Sequence, residues 1–344
     1  GLSSNFTESV KLLEKMLSNV VADEDALNSL KSTYEKQKRD AKLNKQTILF
    51  SAMRSYARYG KNSSFTNQLS KQELDSVKSS DLLDIIHNLT KNDHRILYYG
   101  PDNISAVKKL IVDLHNTTDL APVEKINLNI EEEMNNNKVY VVDYDMKQAE
   151  VVMYAKGSKL NKDEFSIIMF HNEYFGGGMS SIVFQEMRES KALAYSVYST
   201  YTIPKEIDNS HYQFSYVGTQ ADKLGDAMAG MLGLLTQMPE ANSNMENARE
   251  GVLQKIRTER ITKFKVLEYF EAARKTNLDY DKRSDLFRDV KDFTMEDLKE
   301  FHNSHINNDS YTYMVLGSTD EIDVELLEQY GEVTILTLED VFGY

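Results

Sequence analysis

Apolar residues recur at helical spacing from the start of the chain. Val10, Leu13, Met16, Leu17 and Val20 fall on one face, which predicts an amphipathic helix beginning near Phe6. Leu224, Met228, Met231, Leu232 and Leu235 form a second stripe of the same kind. Each stripe is followed by an acidic stretch and a long charged segment, 24–59 and 244–278, read as one long helix apiece. A further correspondence closes both halves. The helical stretch with Ile85, Ile86 and His87 leads into the apolar run Ile96, Leu97, Tyr98, Tyr99 and ends at Gly100. The stretch with Phe301 and His302 leads into Tyr311 to Leu316 and ends at Gly317. Elements matching in the same order at nearly one spacing predict an internal duplication.

The copies are unequal. From about residue 138 the chain adds segments that the first copy lacks. Residues 139–142 and 149–155 read as a pair of strands, 163–174 as a helix, and 195–202 and 212–218 as aromatic and β-branched strands around a loop containing Pro204. The expected organisation follows. Residues 1–118 form the C-terminal part of a first repeat domain, mostly helical and ending in a strand. Residues 119–137, with Pro122, three consecutive glutamates from Glu131 and three asparagines from Asn135, form a linker. Residues 138–344 form a complete second repeat domain. The abrupt start of the helical pattern suggests a C-terminal fragment of a longer precursor. Strands in hairpin order mixed with helices predict an α+β class, each domain a largely antiparallel sheet with helices packed on one face.

Composition narrows the function classes. The net charge of −14 argues against a nucleic-acid or anionic-membrane surface, which needs clustered Lys and Arg. There are no cysteines, so disulfides, thiolate metal sites and cysteine nucleophiles are excluded. No apolar run approaches the ~18 residues of a membrane span. A soluble protein is expected, and nothing in the chain separates the bacterial cytoplasm from the periplasm.

Local patterns offer little catalysis. His302 and His305 stand three residues apart but have no acidic residue between them, and His302 occupies the repeat position of His87, which favours a structural role. His171 and Glu173 fit neither H-E-x-x-H nor H-x-x-E-H; His171 is expected to face solvent or cap a helix. The corner Gly176, Gly177, Gly178 is followed by Met179, Ser180 and Ser181 rather than by a Lys-Ser/Thr pair. That makes it a tight turn with Ser180 or Ser181 capping the next helix, not a phosphate cradle. No pair of carboxylates and no G-x-S-x-G elbow stands out.

The informative stretch is 175–201, FGGGMSSIVFQEMRESKALAYSVYSTY. It resembles the pitrilysin/insulysin family of zinc peptidases, in which a Gly-Gly-Gly-Met-Ser-Ser turn, a helix with Leu/Met-Arg-Glu and a Gly-Leu-Ala-Tyr-Ser-Val strand start occur in this order. The likeness extends more loosely to the strand pair with Gln148 and to the ending 336–344. It implies the pitrilysin-type fold of repeated α+β domains and assigns this chain to the C-terminal, non-catalytic half. The family's H-x-x-E-H motif is absent. Zinc is thus expected on a partner half, in the same precursor or as a separate subunit, with no metal bound by this chain, which alone is expected to be inactive. The resemblance further implies a peptide substrate, with Arg188 and Tyr195 contributing substrate and transition-state contacts, because active relatives carry an Arg and a Tyr at this seven-residue spacing. Two positions depart from the pattern. Ala192 stands where the family has Gly, at a cost of about 1 kcal/mol if the site is left-handed, and Ile182 replaces a common Arg. The alternative within the same fold is an inactive scaffold or peptide-binding subunit.

Overall fold

The computed structural model describes residues 2–115, 117, 120–123 and 129–344. They form two compact units, Gly1–Leu43 with Asn67–Leu128, and Asn44–Thr66 with Asn129–Tyr344.

The first unit is helical, with its longer helices at Phe6–Ser18, Glu24–Lys42, Ser79–Asn88 and Ile104–Leu114. Asp23 opens the second of these by accepting from Ala26 N at 2.8 Å. The run 96–99, expected as a strand, has no ladder partner among the described residues. An apolar run becomes a strand only where a neighbour takes its backbone hydrogen bonds.

The second unit is built on a six-stranded sheet. Its strands are β1 (Lys138–Asp143), β2 (Gln148–Lys159), β3 (Ser196–Thr202), β4 (Ser210–Gln220), β5 (Thr312–Gly317) and β6 (Glu332–Leu336), in the order β3-β4-β2-β5-β1-β6. β3, β4, β2 and β5 pair antiparallel, while β1 lies parallel to both β5 and β6. One row crosses the whole sheet in register: Val197, Val217, Val151, Val315, Val141 and Ile335. All but the last are buried. This face carries the main helical layer, in which Ile168, Tyr174, Met228, Met231, Leu298 and Phe301 join the sheet valines in one core.

The other face is covered as well. Ile48, Leu49, Ala52 and Met53 are buried there, Phe50 packs edge-on against Tyr216 with centroids 5.1 Å apart, and Tyr56 does the same to Tyr140 at 5.3 Å. Cover on both faces is why β2 is buried at every residue from Ala149 to Ala155 rather than at alternate ones. It also makes Glu150 a buried carboxylate in mid-strand, neutralised by Lys45 Nζ at 2.5 Å.

Two boundaries therefore differ from the expected organisation. Residues 44–66 do not continue the helix of the first unit. Asn44 takes an extended conformation and caps a new turn by accepting from Thr47 N, and the segment after it packs on the sheet. Of the expected linker, residues 119 and 124–128 lie outside the described residues. Residues 129–137 are bound into the second unit: Glu131 pairs with Arg58 at 2.6 Å and accepts from Ser210 Oγ, and Met134 is buried. The charged segment 244–278 is likewise two helices, Asn242–Thr258 and Lys263–Lys275. The β-branched Ile261 and Thr262 lie at the break, where helix propensity is low.

Candidate functional site

The glycine corner follows helix Phe165–Phe175 and seats it on the edge strand β3. Gly176 lies so close to β3 that an added Cβ would meet Ser199 O, with Ser199 N at 2.6 Å and Ser199 C at 2.7 Å. At Gly177 an added Cβ would stand 2.8 Å from Asn172 O, whereas at Gly178 it would meet nothing within 4 Å. None of the three has a positive φ. Glycine is required here by close approach of backbone to backbone rather than by a left-handed turn. Ser181 is buried and N-caps the next turn, accepting from Phe184 N. Ser180 is exposed, and its carbonyl accepts from Asn244 Nδ2 at 2.8 Å. A cleft of about 380 Å³ opens beside the corner, lined by Gly176, Gly177, Gly178, Phe184, Tyr198 and Thr200 among others.

Arg188 lies in the turn Gln185–Ser190, which is π-helical: Lys191 N donates to Glu186 O five residues back, at 3.1 Å. The wider turn carries its register onward, so that Leu193 N reaches Met187 O at 2.8 Å. Between them sits Ala192, with φ +50°. This is the left-handed conformation that costs an L-residue roughly 1–2 kcal/mol and costs glycine nothing. The chain then joins the sheet. Thr219 Oγ1 donates to Leu193 O at 2.6 Å, Tyr195 N donates to Gly218 O at 2.8 Å, and Ala194 and Val197 are buried on either side of Tyr195. Ala192→Gly is accordingly expected to raise the unfolding free energy by up to about 1 kcal/mol, part of the gain being offset by the greater freedom of glycine in the unfolded chain. Urea unfolding measures it, and a fall in midpoint would contradict the strain.

Both polar ends of the site point outward. Tyr195 is 51% exposed, and its Oη accepts from Gln220 Nε2. The Arg188 side chain is 48% exposed, with Nε 3.9 Å from a Glu189 oxygen, and its guanidinium lies 5.1 Å from the centroid of the Phe184 ring. Phe184 and Arg188 stand four apart on one turn, so this support was readable from spacing. Gln220 follows the sheet pairing of β3 with β4 and had no signal in the sequence. Tyr195 is not the buried core tyrosine that a strand pattern suggests, while Arg188 near the end of its turn has the acidic neighbour Glu189 that a surface arginine would have.

His171 and His302 serve packing. His171, expected at the surface, is buried, because it shares a face of its helix with Ile168, Tyr174 and Phe175. Its Nε2 lies 3.1 Å from His302 Nδ1, and His302 Nε2 donates to Leu235 O at 2.9 Å. The donor to a carbonyl must carry a proton, so in a neutral His302 ring Nδ1 is the acceptor and His171 Nε2 the donor. Burial pushes His302 down to about 4 and His171 well below its ordinary value, the latter helped by its neighbour. The unfolded chain binds these protons near about 6.5, so between about pH 6.5 and 4 it binds more protons than the folded one. The stability is full above that window and is lost as pH falls through it, by about 3 kcal/mol for His302 alone. A His302→Gln variant is expected to show a flatter pH dependence of its urea midpoint than the wild type; parallel curves would contradict this. His305 stands apart from that pair, with Nε2 3.4 Å from Glu164.

Among the described residues no group of three or more His, Asp or Glu side chains is placed to hold a metal ion. The described residues do not bring together the three protein ligands that a catalytic zinc usually takes. No helix among them is long and apolar enough to cross a membrane.

The comparisons agree with one another. Residues 76–242 match the family model of the peptidase M16 inactive domain. The "uncharacterized zinc protease YmxG" of Bacillus subtilis (strain 168) is 30% identical over 109 residues, a stretch covering 31% of this chain and 26% of that protein. The matched stretch is thus about a quarter of the relative's length. A peptidase M16 inactive domain from Pseudomonas fluorescens has a similar structure, with TM-score 0.67 and 15% identity over 93% of this chain and 77% of that one. A protease from Helicobacter pylori gives 0.63 and 14% over 92% and 77%. The periplasmic protease PqqL from Escherichia coli gives 0.65 and 11% over 92% of this chain and 35% of its own length. At these identities the structures speak for the fold alone. Motif, family-model match and fold converge: residues 76–242 match the peptidase M16 inactive domain, and the chain shares the fold of a solved structure of such a domain.

Proposed function

We propose that this chain is the substrate-gripping half of a zinc-dependent endopeptidase, acting with an N-terminal half that carries H-x-x-E-H and the zinc. In this reading residues 1–118 derive from one repeat domain and 138–344 from the next. Arg188 and Tyr195 hold the peptide: as water adds to the scissile carbonyl, negative charge grows on its oxygen, and a guanidinium and a phenol are both donors able to stabilise it. The observation that carries the reading is the outward placement of both polar ends on the two sides of a strained turn, where neither serves the core. Phe184 under the guanidinium and Gln220 at the phenol are positioning residues for that pair.

The test combines this chain with the half bearing H-x-x-E-H and follows hydrolysis of an unfolded peptide. Cleavage is expected from the combination, abolished by a chelator, and absent from either part alone. Peptide cleavage by this chain alone would overturn the assignment, and an inert combination that still binds peptide would make the chain a scaffold.

A further inference from the structure

In the first unit two histidines far apart in sequence meet with their lone pairs facing. His115 closes helix Ile104–Leu114, and its Nδ1 lies 2.7 Å from Glu14 Oε1. An ionised carboxylate only accepts, so Nδ1 carries the proton and Nε2 a lone pair. His94 Nδ1 lies 2.7 Å from the carbonyl oxygen of Asn92. That oxygen also only accepts, so His94 Nε2 is a lone pair too. These two Nε2 atoms stand 2.7 Å apart, with the rings nearly perpendicular at 80°. Two neutral imidazoles in these tautomers have no hydrogen to share at that contact. A positive centre between them satisfies both.

We propose that His94 and His115 bind one divalent transition-metal ion of the zinc, copper and nickel class through their Nε2 atoms, with water completing the shell. Imidazole nitrogen suits these ions, whereas magnesium and calcium take oxygen. The Glu14–His115 contact is the outer-shell arrangement that fixes the tautomer of a metal-ligating histidine and raises its basicity. Metal–nitrogen bonds of about 2.0–2.1 Å at a tetrahedral angle place two ligands roughly 3.3 Å apart. The pair must open by only about 0.6 Å to reach that spacing, and His94 is exposed. The ion would tie helix Phe6–Ser18, the segment around residue 94 and the end of helix Ile104–Leu114 together. Among the described residues, the buried apolar side chains of this unit are Leu27, Leu74 and Val107. A metal cross-link contributes most where the core is this thin. The site departs from the expectation that this chain binds no metal, and a separation of 21 residues between the ligands leaves no motif to read. It is separate from any H-x-x-E-H centre and stands whether or not the chain assists peptide cleavage.

Calorimetric titration of the 344-residue chain with zinc chloride, in a buffer that does not chelate, tests it. One equivalent is expected to bind in the micromolar range. His94→Ala and His115→Ala are each expected to lose that equivalent, Glu14→Gln to weaken it about ten- to a hundredfold, and His305→Ala to leave it unchanged. Should His115→Ala fail to fold, the exposed His94→Ala still decides. Absence of a stoichiometric event, or wild-type binding by His94→Ala, overturns the proposal. So does a pair that takes up one shared proton, read by nitrogen NMR of the two rings, and no metal.

Discussion

Gly176→Ala is expected to destabilise the protein by about 3 kcal/mol or more, while Gly178→Ala, two residues further along the same corner, stays within about 0.5 kcal/mol of wild type. The difference lies in what each new methyl group meets. At Gly176 it runs into the backbone of β3, against Ser199 N and C at 2.6 and 2.7 Å. Backbone held in a sheet has no rotamer to yield, unlike the end of a flexible side chain, so the strand or the corner must move. Ser199 N donates to Gly176 O, and the Asn172 side chain bonds Tyr201 N and O. Displacement would therefore break more than one hydrogen bond. At Gly178 the methyl group enters open space. Because Tyr195 immediately precedes β3, the Gly176 variant that folds is also expected to lose substrate contacts. Urea unfolding of the two variants side by side measures the effect, and equal stabilities would show that the corner is not fixed by close approach.

How much of this was legible depended on whether a feature is local. β1 to β4 could be read within a few residues because alternating and continuous apolar runs are local patterns, as was the capping role open to Ser181. The seven-residue spacing of Arg188 and Tyr195 was visible too, but only resemblance gave it meaning; composition and periodicity would have left a surface arginine and a core tyrosine. What stayed hidden is non-local. Nothing in the sequence inserts β5 between β2 and β1, joins His171 to His302, or brings His94 to His115. The break at Asn44 falls inside the segment 24–59 that was expected as one helix. Its consequence, a segment crossing to cover the second face of the sheet, is tertiary: Lys45 meeting Glu150 and Phe50 meeting Tyr216 decide it. The run 96–99 shows the converse, a strand pattern without a partner. Ala192 is a case where the sequence posed a sharp question, whether that position is left-handed, and the φ of +50° answers it.

The largest functional effects are expected at the exposed pair. In the combined halves, Arg188→Ala is expected to lower kcat/KM for peptide cleavage by about 10²–10³-fold, the usual consequence of removing one preorganised donor to a developing oxyanion. Tyr195→Phe removes a single hydroxyl and is expected to act in the same direction. A donor used only in the transition state lowers kcat with little change in KM, whereas one that grips the ground-state peptide raises KM. Stability is not expected to change by more than about 0.5 kcal/mol in either variant, because both side chains are half exposed and neither joins the core. That separation distinguishes a catalytic contact from a folding defect. The double variant adds information: two donors on one oxygen lose less together than the product of their single effects.

The most direct measurement is kcat/KM of the zinc-loaded, combined halves with wild-type, Arg188→Ala and Tyr195→Phe chains, each confirmed as folded by its urea midpoint. The account predicts unchanged midpoints and a drop of about 10²-fold or more for Arg188→Ala, with Tyr195→Phe falling in the same sense. Cleavage that proceeds at the wild-type rate with both residues replaced would contradict it.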